Sequence, residues 1–210
     1  MHKITFLIVF SLLNFALVFG QEKAMSKEEM AVFKKEIIQQ NQAIKTLSTD
    51  FVQYKNMSFL SKEIESKGKM LLAAPNRLHW KYTSPFEYSV IFSNQKISIN
   101  DQGKKNNIDL GNNKKFAKIN AMIIGSISGN IFDNNEFKIS YFNDKSKRIA
   151  KLKPLQKDIS QYIAEIVLTF EKDQKTVSEV KLIEPSKDYT RIVFQNKKIN
   201  PNLKDADFTH

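Results

Sequence analysis

Cysteine is absent from all 210 residues. No disulfide can form, so the fold has to draw its stability from packing alone. The same absence excludes the tether of a bacterial lipoprotein, which is acylated on a Cys directly after its leader. Histidine is scarce, with 3 in the chain. His2 falls in an N-terminal leader, His210 is the last residue, and His79 stands alone on the polar face of an expected strand. No His pair is offered for a metal or for a Ser–His arrangement. Carboxylate pairs such as Glu63 with Glu65, or Glu171 with Asp173, sit in turn or strand-edge contexts and read as solvated surface. A carboxylate-based hydrolase needs two buried groups at a defined separation. The segment Gly125–Gly129, GSISG, has Ile127 where a nucleophile elbow needs serine. These absences argue against an enzyme and against any metal or cofactor.

What is present begins with a leader. Lys3 is followed by an apolar run from Ile4 to Phe19, a small residue at Gly20 and then polar Gln21-Glu22-Lys23. This is the pattern of a secretory signal peptide over residues 1–20, cleaved after Gly20, and the run is short for spanning a bilayer. Residues 21–210 then form a single domain, since no repeat, linker or low-complexity segment divides them. The formal net charge is +11. Such a balance suits anionic lipid headgroups or an acidic protein surface, and export argues against nucleic acid as a partner.

Turn residues punctuate Gly68–Asp101 into short alternating runs: Met70–Ala73, Leu78–Tyr82, Tyr88–Phe92 and Lys96–Asn100. Leu78, Trp80 and Tyr82 share one face and His79 and Lys81 the other, because strand side chains alternate. Earlier strands are expected at Ser48–Tyr54 and Lys62–Ala73, where Gly68 permits a bend or a close approach. Later ones are expected at Lys104–Leu110, Glu136–Phe142, Arg148–Leu152, Tyr162–Glu171, Val177–Ile183 and Tyr189–Gln195, with a polar tail over Asn202–His210.

Two stretches depart from this period. Ser26-Lys27-Glu28-Glu29 is a capping box opening an amphipathic helix, with Met30, Phe33, Ile37, Ile38, Ile44 and Leu47 on one stripe. Phe116, Ile119, Met122, Ile123 and Ile127 recur at helical spacing in a second helical element, a lid. The count is about eleven strands with two helical covers, a mainly β chain. A single curved antiparallel sheet of that size must close, split or be capped.

The order of several short segments resembles the LolA family of periplasmic outer-membrane lipoprotein carriers. They are Phe51-Val52-Gln53, Gly68-Lys69-Met70-Leu71, Pro75-Asn76-Arg77-Leu78-His79-Trp80 and Ser84-Pro85-Phe86-Glu87, with a strand ending at Ser93-Asn94. Lys153-Pro154, Ile166–Phe170 and Ile192-Val193-Phe194 resemble its C-terminal half. The resemblance implies an unclosed β-barrel of about eleven strands under helical lids, agreeing with the count from turn spacing. It also implies a shuttle that takes acylated lipoproteins from an inner-membrane lipoprotein-releasing transporter and passes them to an outer-membrane receptor. The receptor of that family is itself a lipoprotein, so the absence of Cys favours the soluble carrier. Two departures stand out. Ala74 occupies the position where the family's carriers have an Arg that holds the lid, and the chain stops at Phe208-Thr209-His210 where they continue.

A half-barrel of this kind needs cover for its apolar face. The side chains expected to line a lipid cleft are Leu72, Leu78, Trp80, Tyr82, Val90, Phe92, Ile97, Ile99, Leu168 and Phe170, with Met122, Ile123 and Ile127 closing it. The occupants expected are the acyl chains of lipoproteins or other lipids, held by a monomer in the periplasm. The alternative use of such a fold is a carrier or sensor of another lipid or glycolipid in the cell envelope.

Overall fold

The computed structural model describes residues 22–93, 96–109, 125, 136–174 and 176–210. The leader and the proposed lid residues Met122, Ile123 and Ile127 lie outside them.

The capping box forms as the sequence demands. The Ser26 hydroxyl accepts from the Glu29 N–H at 3.2 Å, and the Glu29 carboxylate accepts from the Ser26 N–H at 2.8 Å. Helix α1 then runs over Lys27–Ala43 with Phe33 and Ile37 buried. The expected stripe is too long. Ile44 is the extended C-cap and Leu47 already belongs to the next strand. Asn200 accounts for that stop: its side chain accepts from the Lys45 and Thr46 N–H groups at 2.7 and 3.2 Å and donates to the Ala43 carbonyl at 3.0 Å. A residue far along the chain thus caps the helix end that sequence pattern alone would have extended.

The strands are β1 (Lys23–Ala24), β2 (Thr46–Asn56), β3 (Ile64–Ala73), β4 (Arg77–Ser84), β5 (Tyr88–Ser93) and β6 (Lys96–Asp101). They continue as β7 (Lys104–Asp109), β8 (Phe137–Asp144), β9 (Lys147–Pro154), β10 (Glu165–Glu171), β11 (Val177–Ile183) and β12 (Tyr189–Ile199). All pair antiparallel in one 12-stranded sheet of order β1-β8-β9-β10-β11-β12-β2-β3-β4-β5-β6-β7, which is not closed. This is the unclosed half-barrel expected, with the two-residue β1 as the strand the count omitted. Tyr162–Ala164 lie before β10, where the chain makes a helical turn at Lys157–Ser160 instead of extending the strand.

Residues directly opposite across a ladder share a face, so the register assigns one inner face throughout. From β2 to β6 it runs Phe51, Gly68, Tyr82, Tyr88 on one level and Leu47, Leu72, Leu78, Phe92, Ile97 on another. Gly68 is required here. A Cβ at that position would stand 2.1 Å from the Lys81 carbonyl oxygen and 2.5 Å from the Phe51 ring. The β3–β4 register also shifts between Lys67 and Gly68, so the residue serves both the bend and the close approach expected of it.

The C-terminal tail is not merely polar. Phe208 is buried with Ala73 and Ile91 on the outer face, and Leu71 and Leu203 pack against them. Arg77 clasps it, with its guanidinium 2.6 Å from the Asp205 carboxylate and 4.8 Å from the centre of the Phe208 ring. His79 is not alone either. Its Nδ1 donates to the Asp207 carbonyl at 2.7 Å and its ring lies edge-on to His210 at 5.8 Å. Sequence pattern missed this pair because the two histidines are more than a hundred residues apart.

Candidate functional site

The inner face has two halves of different construction. Over β8–β10 it is finished by α1. Phe33 meets Tyr141 and Phe170 edge-on at 6.0 and 5.2 Å, and the Arg148 guanidinium lies 4.7 Å over the Phe33 ring. Arg148 also pairs with Glu36 at 2.6 Å, so one cation fastens both the ring and the polar flank of the helix. Leu152, Ile166 and Leu168 have no exposed surface, and Phe170 retains 1%. This half is packed core.

Over β2–β6 the rings of the sheet meet each other. Phe51 stacks on Trp80 at 4.3 Å and stands edge-on to Tyr82 at 5.3 Å. Tyr82 contacts Tyr88 at 6.2 Å, and Trp80 reaches Phe194 of β12 at 6.3 Å. Phe51 can lie so low because Gly68 has no side chain beneath it. The Tyr82 hydroxyl donates to Gln53 Oε1 at 3.0 Å, and burial pushes its pKa above the usual phenol value. The wall is therefore uncharged over the physiological range.

Of the side chains expected to line a cleft, the register brings eight together on this wall. Trp80 lies opposite Val90, Val90 opposite Ile99, and Leu72, Leu78, Phe92 and Ile97 form the next row. Leu72, Leu78, Trp80 and Ile97 are buried, while Tyr82, Val90, Phe92 and Ile99 are half-buried. Leu168 and Phe170 lie elsewhere on the same face, because four strands intervene between β10 and β4, and Phe170 meets Phe33 of α1. Residues missed by the sequence reading are Phe51, Tyr88 and Phe194. Tyr88 was legible from its phase with Val90 and Phe92. Phe194 was not, since its nearness to Trp80 depends on β12 pairing with β2. At one end of the wall the β2–β3 and β4–β5 connections turn, and there Phe59 and Phe86 are 77% and 67% exposed.

The departure at Ala74 can now be placed. Nearby Arg77 is committed to Asp205 and Phe208 on the outer face, so it does not take over a contact on the inner one. Among the described residues no helix is long and apolar enough to cross a membrane, and no cluster of three or more metal-ligating side chains occurs.

The profile of the LolA family, described as outer membrane lipoprotein carrier protein LolA, matches residues 42–210. The chain belongs to the LolA family. It is 28% identical over 167 residues to an outer-membrane lipoprotein carrier protein of Chromobacterium violaceum, covering 78% of this chain and 76% of that one. The crystal structure of MucB superposes with a TM-score of 0.53 at 9% identity, covering 88% of this chain and 64% of MucB. A LolA superfamily protein from Nitrosomonas europaea gives 0.44 at 8% identity, covering 86% and 97%. At such identities the structural likeness concerns the fold alone. LolA proteins are carriers, and as a member of that family this chain is a carrier protein and not an enzyme.

Proposed function

We propose that this LolA chain is exported, loses its leader after Gly20, and works in the periplasm as a soluble monomeric carrier. It shields the acyl chains of lipoproteins on the β2–β6 wall and delivers them from an inner-membrane transporter to the outer membrane. The observation that carries this reading is the set of half-buried apolar side chains in phase on β4–β6, Tyr82, Val90, Phe92 and Ile99, beside a buried aromatic stack. Such a row keeps neighbouring apolar surfaces in contact with water, and contiguous apolar surface is what marks ligand grooves and interaction sites. The relative from Chromobacterium violaceum, named as an outer-membrane lipoprotein carrier, supports the same class of cargo.

The energetics of carrying follow from chain length. Each buried methylene is worth about 0.8 kcal/mol, so one palmitoyl-length chain gains on the order of 10 kcal/mol on leaving water. Release then needs a competing apolar surface or work done on the cover. Phe59 and Phe86 are exposed at the end of the wall, and in this reading they would meet a chain passing between carrier and partner.

Trp80 is the single tryptophan, so its emission reports on this wall alone. Delipidated protein titrated with a dansylated fatty acid or an acylated peptide is expected to show energy transfer from Trp80 that saturates near one equivalent. An unchanged Trp80 spectrum with no retained probe would count against the carrier.

A further inference from the structure

Strand β12 carries a bulge at the rim of the inner face. Gln195 lies opposite Asp50 and Lys198 opposite Ser48, so one extra residue is accommodated between them. Asn196 takes it up in the left-handed region at φ 53°, which asparagine tolerates better than most residues. With unbroken alternation after Phe194, Lys197 would point outward. The bulge instead puts Lys197 in phase with Ile199, which lies opposite the inward Leu47.

This geometry is held from both faces. On the outside, Asn196 Nδ2 donates to the Asp50 carboxylate at 2.9 Å, and Asp50 pairs with Lys69 at 2.7 Å. On the inside, the buried Thr49 hydroxyl donates to the Gln195 carbonyl at 2.7 Å. What the arrangement achieves is to aim one ammonium group inward.

Lys197 Nζ donates to Thr176 Oγ1 at 3.2 Å and to Gln174 Oε1 at 3.4 Å, both neutral. An ammonium has three N–H donors, and among the described residues no carboxylate forms an ion pair with this one. Burial pushes its pKa down to about 8, with Glu171 acting weakly in the opposite sense. The group borders a cavity of about 590 Å³, walled by Gln40 of α1, by Thr176, Phe194 and Ile199, and by Asp173 on its exposed lip. Phe194 joins this cavity to the wall, since its other side faces Trp80 at 6.3 Å.

We propose that this cavity is a headgroup site, in which Lys197 holds the anionic carboxylate or phosphate end of an acyl lipid whose chain runs past Phe194 onto Phe51 and Trp80. The inference rests on the carrier reading above for the acyl chain on the wall, and takes as ligand an anionic amphiphile in place of the neutral ester- or amide-linked chains of a lipoprotein. A half-desolvated ammonium facing neutral oxygens gains from an anion, and an adjoining aromatic wall favours an anion bearing a chain.

The test uses the exported chain with a fluorescent long-chain fatty acid and the methyl ester of the same acid. At pH 7 the acid is expected to bind about tenfold more tightly, the scale of one charge-assisted hydrogen bond. Lys197→Met should abolish that preference and leave ester affinity unchanged, Lys197→Arg should keep it, and raising the pH to 9 should erode it in the native protein. Circular dichroism checks that each variant is folded. Equal binding of acid and ester by the native protein, or equal loss of both in Lys197→Met, overturns the headgroup site and leaves the carrier reading standing. Binding of neither probe overturns the carrier reading and this site with it. Inorganic phosphate serves as the free-anion arm: Lys197-dependent phosphate binding without any preference for acid over ester assigns the site to a free anion and overturns the lipid assignment.

Discussion

The β8–β10 half and the β2–β6 half of the inner face are built from the same kind of strand, alternating and apolar on one side. They differ in how that side is finished. Phe170 meets Phe33 of a helix whose own cap, ion pair and cation–π contact fix its position, and Leu168 and Ile166 are fully buried beside it. Tyr82, Val90, Phe92 and Ile99 keep part of their surface in contact with water, beside rings that pack on one another. An apolar face in a strand therefore does not by itself say how that face is finished. Among the described residues, the difference is that α1 meets the first half through Phe33, Glu36 and Arg148.

Substitutions in the two halves should consequently fail in different ways. The largest effect is expected from Phe33→Ala, which removes the ring sandwiched between Arg148 and Phe170. The loss is about 3–5 kcal/mol, the range for emptying a buried aromatic site, read as a lower urea midpoint with unchanged acyl affinity in the folded fraction. Phe92→Ala should invert that pattern. Its side chain is half-buried, so about 1 kcal/mol of stability is at stake, while affinity for an acyl probe falls about tenfold through lost apolar contact. If Phe92→Ala costs as much stability as Phe33→Ala and leaves binding untouched, the two halves are both core and the comparison collapses.

The smallest effect concerns the outer face behind the wall. Burial holds the His79 pKa below the ordinary imidazole value of 6.5, outweighing the hydrogen bond to Asp207 that acts to raise it. The unfolded chain then binds more protons than the folded one near pH 6, so stability rises with pH. The contribution is complete above about pH 6.5 and is lost as acidity increases through the folded value. Replacing His79 by Gln is expected to flatten that part of the stability profile between pH 7 and 5. An unchanged slope would mean that the tail is not coupled to His79 protonation.

Much of this was legible in the sequence because it is local. The capping box at Ser26 and Glu29, the alternation of Leu78, Trp80 and Tyr82, and the turn residues separating the strands each depend on a few neighbouring positions. Gly68 was readable as a site of close approach, though not as the floor beneath Phe51. The misreadings share the opposite cause. Ile44 and Leu47 looked helical until Asn200 capped the helix early. His79 stood alone until the tail folded onto it. In each case the deciding partner is remote in the chain.

By itself the sequence determined the family, the antiparallel sheet and which side of each strand would be apolar, since backbone geometry imposes period two on any strand. Which apolar stretch meets α1 and which keeps part of its surface in contact with water was decided only in three dimensions. So was the inward turn of Lys197, which depends on one extra residue in β12 held by Asp50 and Thr49 of the neighbouring strand. Strand order and register set those meetings, and both emerge from pairings between residues distant in the chain.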